Sequence, residues 1–472
     1  MLESGIGSIR GFKQFVWRSG GNEMNRTLVI LVLVFLALSA GAGFAAESGP
    51  QAGAVEAAAA SAAPLKVDTG DTGWLLACSA LVLLMTPGLA LFYGGMVRRK
   101  NVLGTVMHSF VAMGIITVQW VLFGYSLSFG PDVWHFIGNL DWIGLRGVGL
   151  EPNGDYGATV PHQAFMIFQM MFAIITPALI SGAIAERFKF STYVVFMTLW
   201  AFLVYDPLAH WVWGTGGWLK ELGALDFAGG LVVHISSGVS ALACALVVGK
   251  RKGYGVDLMA PHNLMFTILG ACLLWFGWFG FNAGSAIASG ALATSAFVVT
   301  HIATGAAAMS WMFTEWIHRG KPTALGAASG AVAGLVAITP ASGFVGPLSS
   351  LVIGLIGGAV CYMAVSLKPK FGYDDSLDVV GVHAVGGTLG ALLTGLFASK
   401  LVNPAGADGL FFGNPGQLGI QALSVVCAWV YSFAVSFILL KILDKVMGLR
   451  VTEEDESVGL DLSQHGEAGY TL

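Results

Sequence analysis

Charge is what this sequence has least of. Only 11% of its 472 residues are Asp, Glu, Lys or Arg, less than half of the roughly 25% found in an ordinary soluble domain. A formal net charge of -4 gives no basic face for nucleic acid, and no zinc finger, Walker loop or strand-to-helix dinucleotide turn is present. Cysteine is scarce as well. Cys78, Cys244, Cys272, Cys361 and Cys427 lie in or beside apolar segments without C-x-x-C spacing, so they read as small packing residues and not as disulfides or metal ligands. No carboxylate or cysteine set and no nucleophile elbow accompanies the chain's central histidines, so no metal, cofactor or enzyme is expected.

What the chain has instead is long apolar runs, with 56% of its residues hydrophobic. Segments near the length needed to cross a bilayer fall at 74–96, 102–128, 163–185, 192–213, 227–249, 264–284, 291–317, 323–341, 347–367, 379–398 and 418–440. Alternate connections hold the cations, as the positive-inside rule requires. One side carries Arg98, Arg99, Lys100, Arg187, Lys189, Lys250, Arg251, Lys252, Arg319, Lys321, Lys368, Lys370, Lys441, Lys445 and Arg450; the other has Lys66, Arg146, Lys220 and Lys400. Fifteen against four places the N-terminus outside and the C-terminal tail inside. Ahead of the spans, Arg26, an apolar run from Leu28 to Leu38 and small residues through Ala45 read as a secretory signal over 1–45, with Met24 an alternative start. A polar extracytoplasmic lead over 46–71 follows.

Two imidazoles stand inside apolar runs in near-repeated contexts, Leu231-Val232-Val233-His234 and Val380-Gly381-Val382-His383. A titratable ring is costly in hydrocarbon and usually faces a pathway. The matched contexts favour that reading over a buried ring hydrogen-bonded to a neighbouring helix, which is the expectation for His108 and His301. His234 falls in the fifth span and His383 in the tenth. A five-span unit must invert when repeated, and inverted repeats place a substrate path at their interface near the midplane. The expected fold is an all-α polytopic membrane protein of eleven transmembrane helices, two inverted five-helix repeats plus a C-terminal helix. Glycines such as Gly238, Gly386 and Gly390 are expected at close helix contacts.

Two neutral histidines facing a pore offer donors and acceptors to a small uncharged molecule, or relay a proton with an unperturbed pKa of about 6.5. Asp226 stands at the outer start of the fifth span, where a carboxylate can cap the helix, contact a cation, or do both. Trp213 ends the fourth span, either as part of an interfacial aromatic belt or as a ring face for a cation.

The sixth span closes with Gly277-Trp278-Phe279-Gly280-Phe281-Asn282-Ala283-Gly284-Ser285. Here the chain resembles the ammonium transporter (Amt/Mep/Rh) family, its Amt branch above all. The resemblance runs from Pro87-Gly88-Leu89-Ala90-Leu91-Phe92-Tyr93-Gly94-Gly95 through Gly182-Ala183-Ile184-Ala185-Glu186-Arg187 and Asp226 to His234. It continues through Pro261-His262-Asn263-Leu264, Asp378 to His383 and Gly448-Leu449-Arg450-Val451, covering about 72–470. It implies an outer ammonium site on Phe168, Trp213 and Ser285 with Asp226 as the essential acidic residue. It further implies a stacked phenyl gate on Phe172 and Phe281, and a pore lined by His234, His383 and Trp278. A membrane domain over 72–447, a cytoplasmic regulatory tail over 448–472 that packs on the cytoplasmic face instead of standing as a solvated acidic tail, a homotrimer in the inner (plasma) membrane and a PII-class signalling partner follow from the same resemblance. So does the expected function: ammonium recruited outside, deprotonated and passed as ammonia with separate proton transfer. An ammonium sensor and an Rh-like neutral channel for ammonia or carbon dioxide are the alternatives. Sensors in this family often carry an appended signalling domain, whereas this chain ends soon after its last span, which favours transport.

Overall fold

The computed structural model of the chain describes residues 65–470. The signal segment, the alternative start and most of the polar lead lie outside the described residues. Eleven apolar helices follow one another: α1 Thr69–Met96, α2 Arg99–Phe129, α3 His162–Ile184, α4 Phe190–Leu222, α5 Gly230–Val248, α6 Leu264–Gly284, α7 Ala291–Arg319, α8 Ala324–Ile338, α9 Pro347–Phe371, α10 Val380–Phe397 and α11 Pro415–Met447. Residues 65–315 and 322–470 belong to one unit, and residues 316–321 finish α7 with a turn in which Gly320 N donates to Trp316 O at 2.8 Å.

Ten of these helices are long and apolar enough to cross a membrane. The eighth is shorter than the expected 323–341: its 15 residues rise about 22 Å, less than the ~30 Å hydrocarbon core. Beyond Ile338 the chain continues in buried turns, with Ala341 N donating to Ile338 O at 2.9 Å and Phe344 N to Ala341 O at 2.8 Å. Irregular backbone at membrane depth is tolerated where protein surrounds it, and α8 is buried over most of its length.

The two halves meet where α5 and α10 pack together. A Cβ on Gly238 of α5 would run into the Ala384 backbone of α10, and one on Gly387 would stand 3.0 Å from His234 Cβ. Side-chain-free positions thus let the two histidine-bearing helices approach closely. Each histidine sits in a π-helical stretch, Gly230–Ile235 and Val380–Ala384, the kind of local widening that is common at functional sites. Each also follows a capping aspartate by eight residues, Asp226 before His234 and Asp375 before His383. Asp226 caps α5, and Asp375 Oδ2 accepts from Val380 N at 2.7 Å at the start of α10. Because the helix order reverses direction five times between them, the two caps lie on opposite faces, as an inverted repeat demands.

The Lys- and Arg-rich face is tied together by buried ions. Glu186 is buried at a left-handed turn (φ 74°) and accepts from Arg98 N at 2.7 Å, Arg98 Nε at 3.0 Å and Arg251 Nη1 at 3.1 Å. Arg251 also reaches both oxygens of Asp374 at 2.9 Å. Although burial alone would raise the Glu186 pKa, Arg251 and Arg98 hold it below the usual carboxylate value. The tail, with short helices α12 Glu453–Val458 and α13 Leu460–His465, docks on this face. Lys189 N donates to Leu449 O at 2.9 Å, Val451 N to Arg187 O at 3.1 Å and Gly104 N to Asp461 Oδ1 at 2.9 Å. On the far face, the connection from α2 to α3 folds into two small hairpins, β1 Asp132–Val133 with β2 Ile137–Gly138 and β3 Pro152–Asn153 with β4 Gly157–Pro161.

Three expectations need correction. His301 is an exposed ring, leaning on Trp275 and Phe279 with centroids 5.3 and 6.1 Å away, because its helix turns that side away from the bundle. His108 is buried as expected, against Tyr193 at 4.4 Å, but its Nδ1 has no hydrogen-bond partner among the described residues, so ring packing holds it and not the expected hydrogen bond. Among the cysteines, Cys78, Cys244 and Cys361 are buried packing residues, but Cys272 is exposed on α6.

Candidate functional site

A line of side chains leads from the far face to the middle of the bundle. It opens in a cavity of about 230 Å³ whose walls include Trp213, Ser285, Phe172, Gln169, Tyr156 and Lys220. Trp213 is placed where the helical turns of α4 break at Gly214 and is fixed there by its indole, which donates to Asp226 O at 2.9 Å. Ser285 follows the last residue of α6, and its hydroxyl donates to Phe281 O at 2.8 Å, leaving the oxygen lone pairs able to accept from a cation. Phe168 is not on the cavity wall. It packs edge-on behind Phe172 at 4.9 Å and is fully buried.

The cavity floor is an aromatic plug. Phe172 of α3 and Phe281 of α6 stack with centroids 4.2 Å apart and planes at 29°, and Phe172 meets Trp213 edge-on at 6.0 Å. Beneath the plug, His234 stacks on Trp278 at 5.3 Å and lies 6.1 Å from Phe281. His383 continues the line, its Nδ1 3.3 Å from His234 Nδ1. At that separation one nitrogen must donate and the other accept, so the neutral pair holds opposite tautomers at the shared contact. His234 Nε2 has no hydrogen-bond partner among the described residues. It borders a void of about 10 Å³ walled by residues including Met85, Leu89, Trp278 and Phe281. That is roughly the room one water-sized molecule needs. Past His383, a further cavity of about 40 Å³ leads towards Asp378, which pairs with Lys368 at 2.6 Å. Among the described residues, no Asp, Glu, Lys or Arg lines the void at the histidines.

Asp226 does not reach the passage. Its Oδ1 accepts from Gly229 N and Gly230 N at 2.8 and 2.6 Å, and its Oδ2 from Leu231 N and Val232 N at 2.7 and 3.3 Å. Four backbone donors saturate the carboxylate, and Gly229 makes the tight entry possible with a left-handed φ of 115°. Its oxygens face the start of α5, while its backbone carbonyl holds Trp213.

A sequence profile described as the Ammonium Transporter Family matches residues 73–470, a stretch holding every residue of this passage. The chain belongs to that family. Family relatives include an ammonium transporter of Bacillus subtilis, 57% identical over 402 residues, covering 85% of this chain and 98% of the relative. Ammonium transporter Amt1 of Archaeoglobus fulgidus is 48% identical over 402 residues, covering 85% and 99%. Among solved structures, Candida albicans Mep2 is 36% identical with a TM-score of 0.78, over 86% of this chain and 91% of that one. A structure described as "Sensor Amt Protein" is 31% identical with a TM-score of 0.77, over 84% and 98%.

Sequence reasoning passed over several residues of the passage in this Ammonium Transporter Family member. Thr339 accepts the Trp278 indole N–H at 2.9 Å and so fixes the ring beside His234. Nothing in the chain near Thr339 marks it, since the contact is made across the fold. Tyr156, Gln169 and Lys220 of the outer cavity were missed for the same reason. Asp375 was findable, because the spacing of eight from aspartate to histidine occurs twice.

Proposed function

We propose that the protein carries ammonium across a membrane, taking the cation at the outer cavity, removing its proton there and passing ammonia through the histidine-lined void. The observation that carries this reading is a charge-free, plugged passage with two touching histidines at its centre. Potassium and ammonium are alike in charge and size, and bringing either into such a space costs several kcal/mol in lost hydration. Only ammonium can escape that cost by giving up a proton. Trp213 presents a ring face and Ser285 an acceptor oxygen to the cation, with Phe168 supporting Phe172 from behind. The pair Phe172 and Phe281 must part to admit each molecule. His234 Nε2 offers a hydrogen bond to the ammonia passing Trp278, and His383 receives it next.

The proton crosses separately along the histidine pair, whose shared contact allows a hop between rings, so uptake is electrogenic. Asp226 acts by positioning: it builds the α5 entry and fixes Trp213. The assembly is a homotrimer in the inner (plasma) membrane, each subunit with its own pore, the N-terminus outside and the docked tail in the cytoplasm, where a PII-class protein binds. A second reading, an ammonium sensor, draws on the likeness to the sensor structure at 31% identity. The relatives named as transporters are more similar, at 48 and 57%. Ammonium pulses applied to sealed proteoliposomes test the choice. Transport predicts uptake and charge movement, whereas tryptophan-detected binding without uptake would establish the sensor instead.

A further inference from the structure

Lys220 is one of only four Lys or Arg residues assigned to the far face, and it stands at the pore mouth. Its ammonium donates to Trp213 O at 2.9 Å and lies 5.8 Å from the Tyr156 ring centroid. Tyr156 is itself held by its hydroxyl, which donates to Phe129 O at 2.7 Å and accepts from Thr215 N at 3.0 Å. Lys220 and Asp155 share the wall of the cavity with Trp213 and Ser285, and among the described residues they are the only Asp, Glu, Lys or Arg on it.

We propose that Lys220 is a tethered competitor for the outer cation site, a primary ammonium built into the mouth that sets how strongly the protein takes up ammonium. This rests on the transport reading above. A fixed positive charge in the same cavity opposes the entry of a second one, and it already occupies a carbonyl and an aromatic face of the kind an arriving ammonium would use. Asp155 offsets part of the repulsion, so the net effect is a moderate weakening of recruitment and not its abolition. Capping the carbonyl end of the α4 segment that closes at Trp213, a favourable role for any lysine at a helix C-terminus, is the purely structural alternative. The two roles differ in how they respond to charge and salt.

The experiment compares half-saturating ammonium in proteoliposome current recordings for the unaltered protein, Lys220→Met and Lys220→Arg, at low and at high ionic strength. Lys220→Met is expected to lower the half-saturating concentration by about threefold to tenfold at low salt, the size of one unit charge at close range in a solvated site. The gap is expected to shrink at high salt, and Lys220→Arg to behave as the unaltered protein. An unchanged or raised half-saturation in Lys220→Met, or a gap indifferent to salt, would overturn the proposal and leave Lys220 as a helix cap. Should Lys220→Met not fold, Lys220→Gln gives the same comparison. Absence of current from the unaltered protein would instead count against the transport reading, which separates the two failures.

Discussion

At the scale of single residues, the passage depends on groups whose polar atoms are committed elsewhere. The Trp213 indole is engaged with Asp226 O and the Trp278 indole with Thr339 Oγ1, so each ring offers the passage its face and not its N–H. Replacing Trp213 by Leu should raise half-saturating ammonium by about 2- to 30-fold, the equivalent of a cation–ring contact worth roughly 0.5–2 kcal/mol. Unchanged concentration dependence in current recordings would exclude the ring from recruitment. Thr339→Val keeps the shape but strands a buried N–H, at a cost of roughly 1–3 kcal/mol. The expected outcome is a folded protein with slowed conduction and a shifted indole fluorescence spectrum. His234, His383 and the motif from Gly277 to Ser285 were legible in the sequence because their residue types are anomalous in apolar runs. Thr339 and Lys220 were not, for a threonine near a helix end and a lysine in a connection are ordinary until the fold sets an indole or a cavity beside them.

At the scale of elements, the caps of α5 and α10 govern where the histidines stand. Asp226→Ala removes an acceptor from four backbone N–H groups at once and should destabilise the protein by more than the ~1 kcal/mol of an ordinary cap, read as a lower thermal midpoint in detergent. Asp226→Asn, which keeps one acceptor oxygen, should lose less. Asp375 behaves differently. Burial pushes its pKa up to about 6, with Lys368 opposing and Asp378 adding to the rise. Since the unfolded value is near 4, the folded protein binds this proton more tightly than the unfolded chain. Its contribution therefore weakens stability as pH rises from about 4 to about 6 and stays unfavourable above that. Asp375→Asn, which can still cap Val380 N, should raise the thermal midpoint above pH 6 and converge with the unaltered protein near pH 4. A difference independent of pH would contradict this. Hydropathy and charge alternation revealed the helix order, but not the early end of α8, because apolar sequence continues through Ala341 while the backbone turns.

At the scale of the whole molecule, two inverted halves meet at the histidines and a tail closes the basic face. The docked tail places Glu456 against Arg450 at 2.6 Å and Lys100 against the carbonyls of Glu456 and Ser457 at 3.0 and 2.6 Å. Ending the chain after Gly448 should therefore loosen the connections carrying Lys100 and Arg187 and reduce uptake in proteoliposomes. Full uptake by the shortened protein would show that the tail only covers the surface. The inverted arrangement was legible from the matched histidine contexts and the cation count. The docking of the tail was legible only through the family resemblance, since by composition alone an acidic segment in water and one bound to Lys100 and Gly104 are the same.

Charge movement in sealed proteoliposomes, with His234→Leu and His383→Leu combined, probes the histidine passage itself. An ammonium pulse should drive a transient current through the unaltered protein, a potassium pulse should drive none, and the doubly substituted, folded protein should lose the ammonium current. A potassium current equal to that of ammonium, or an undiminished ammonium current without either imidazole, would contradict a path in which ammonia and its proton, parted at the outer cavity, both cross by way of the histidines.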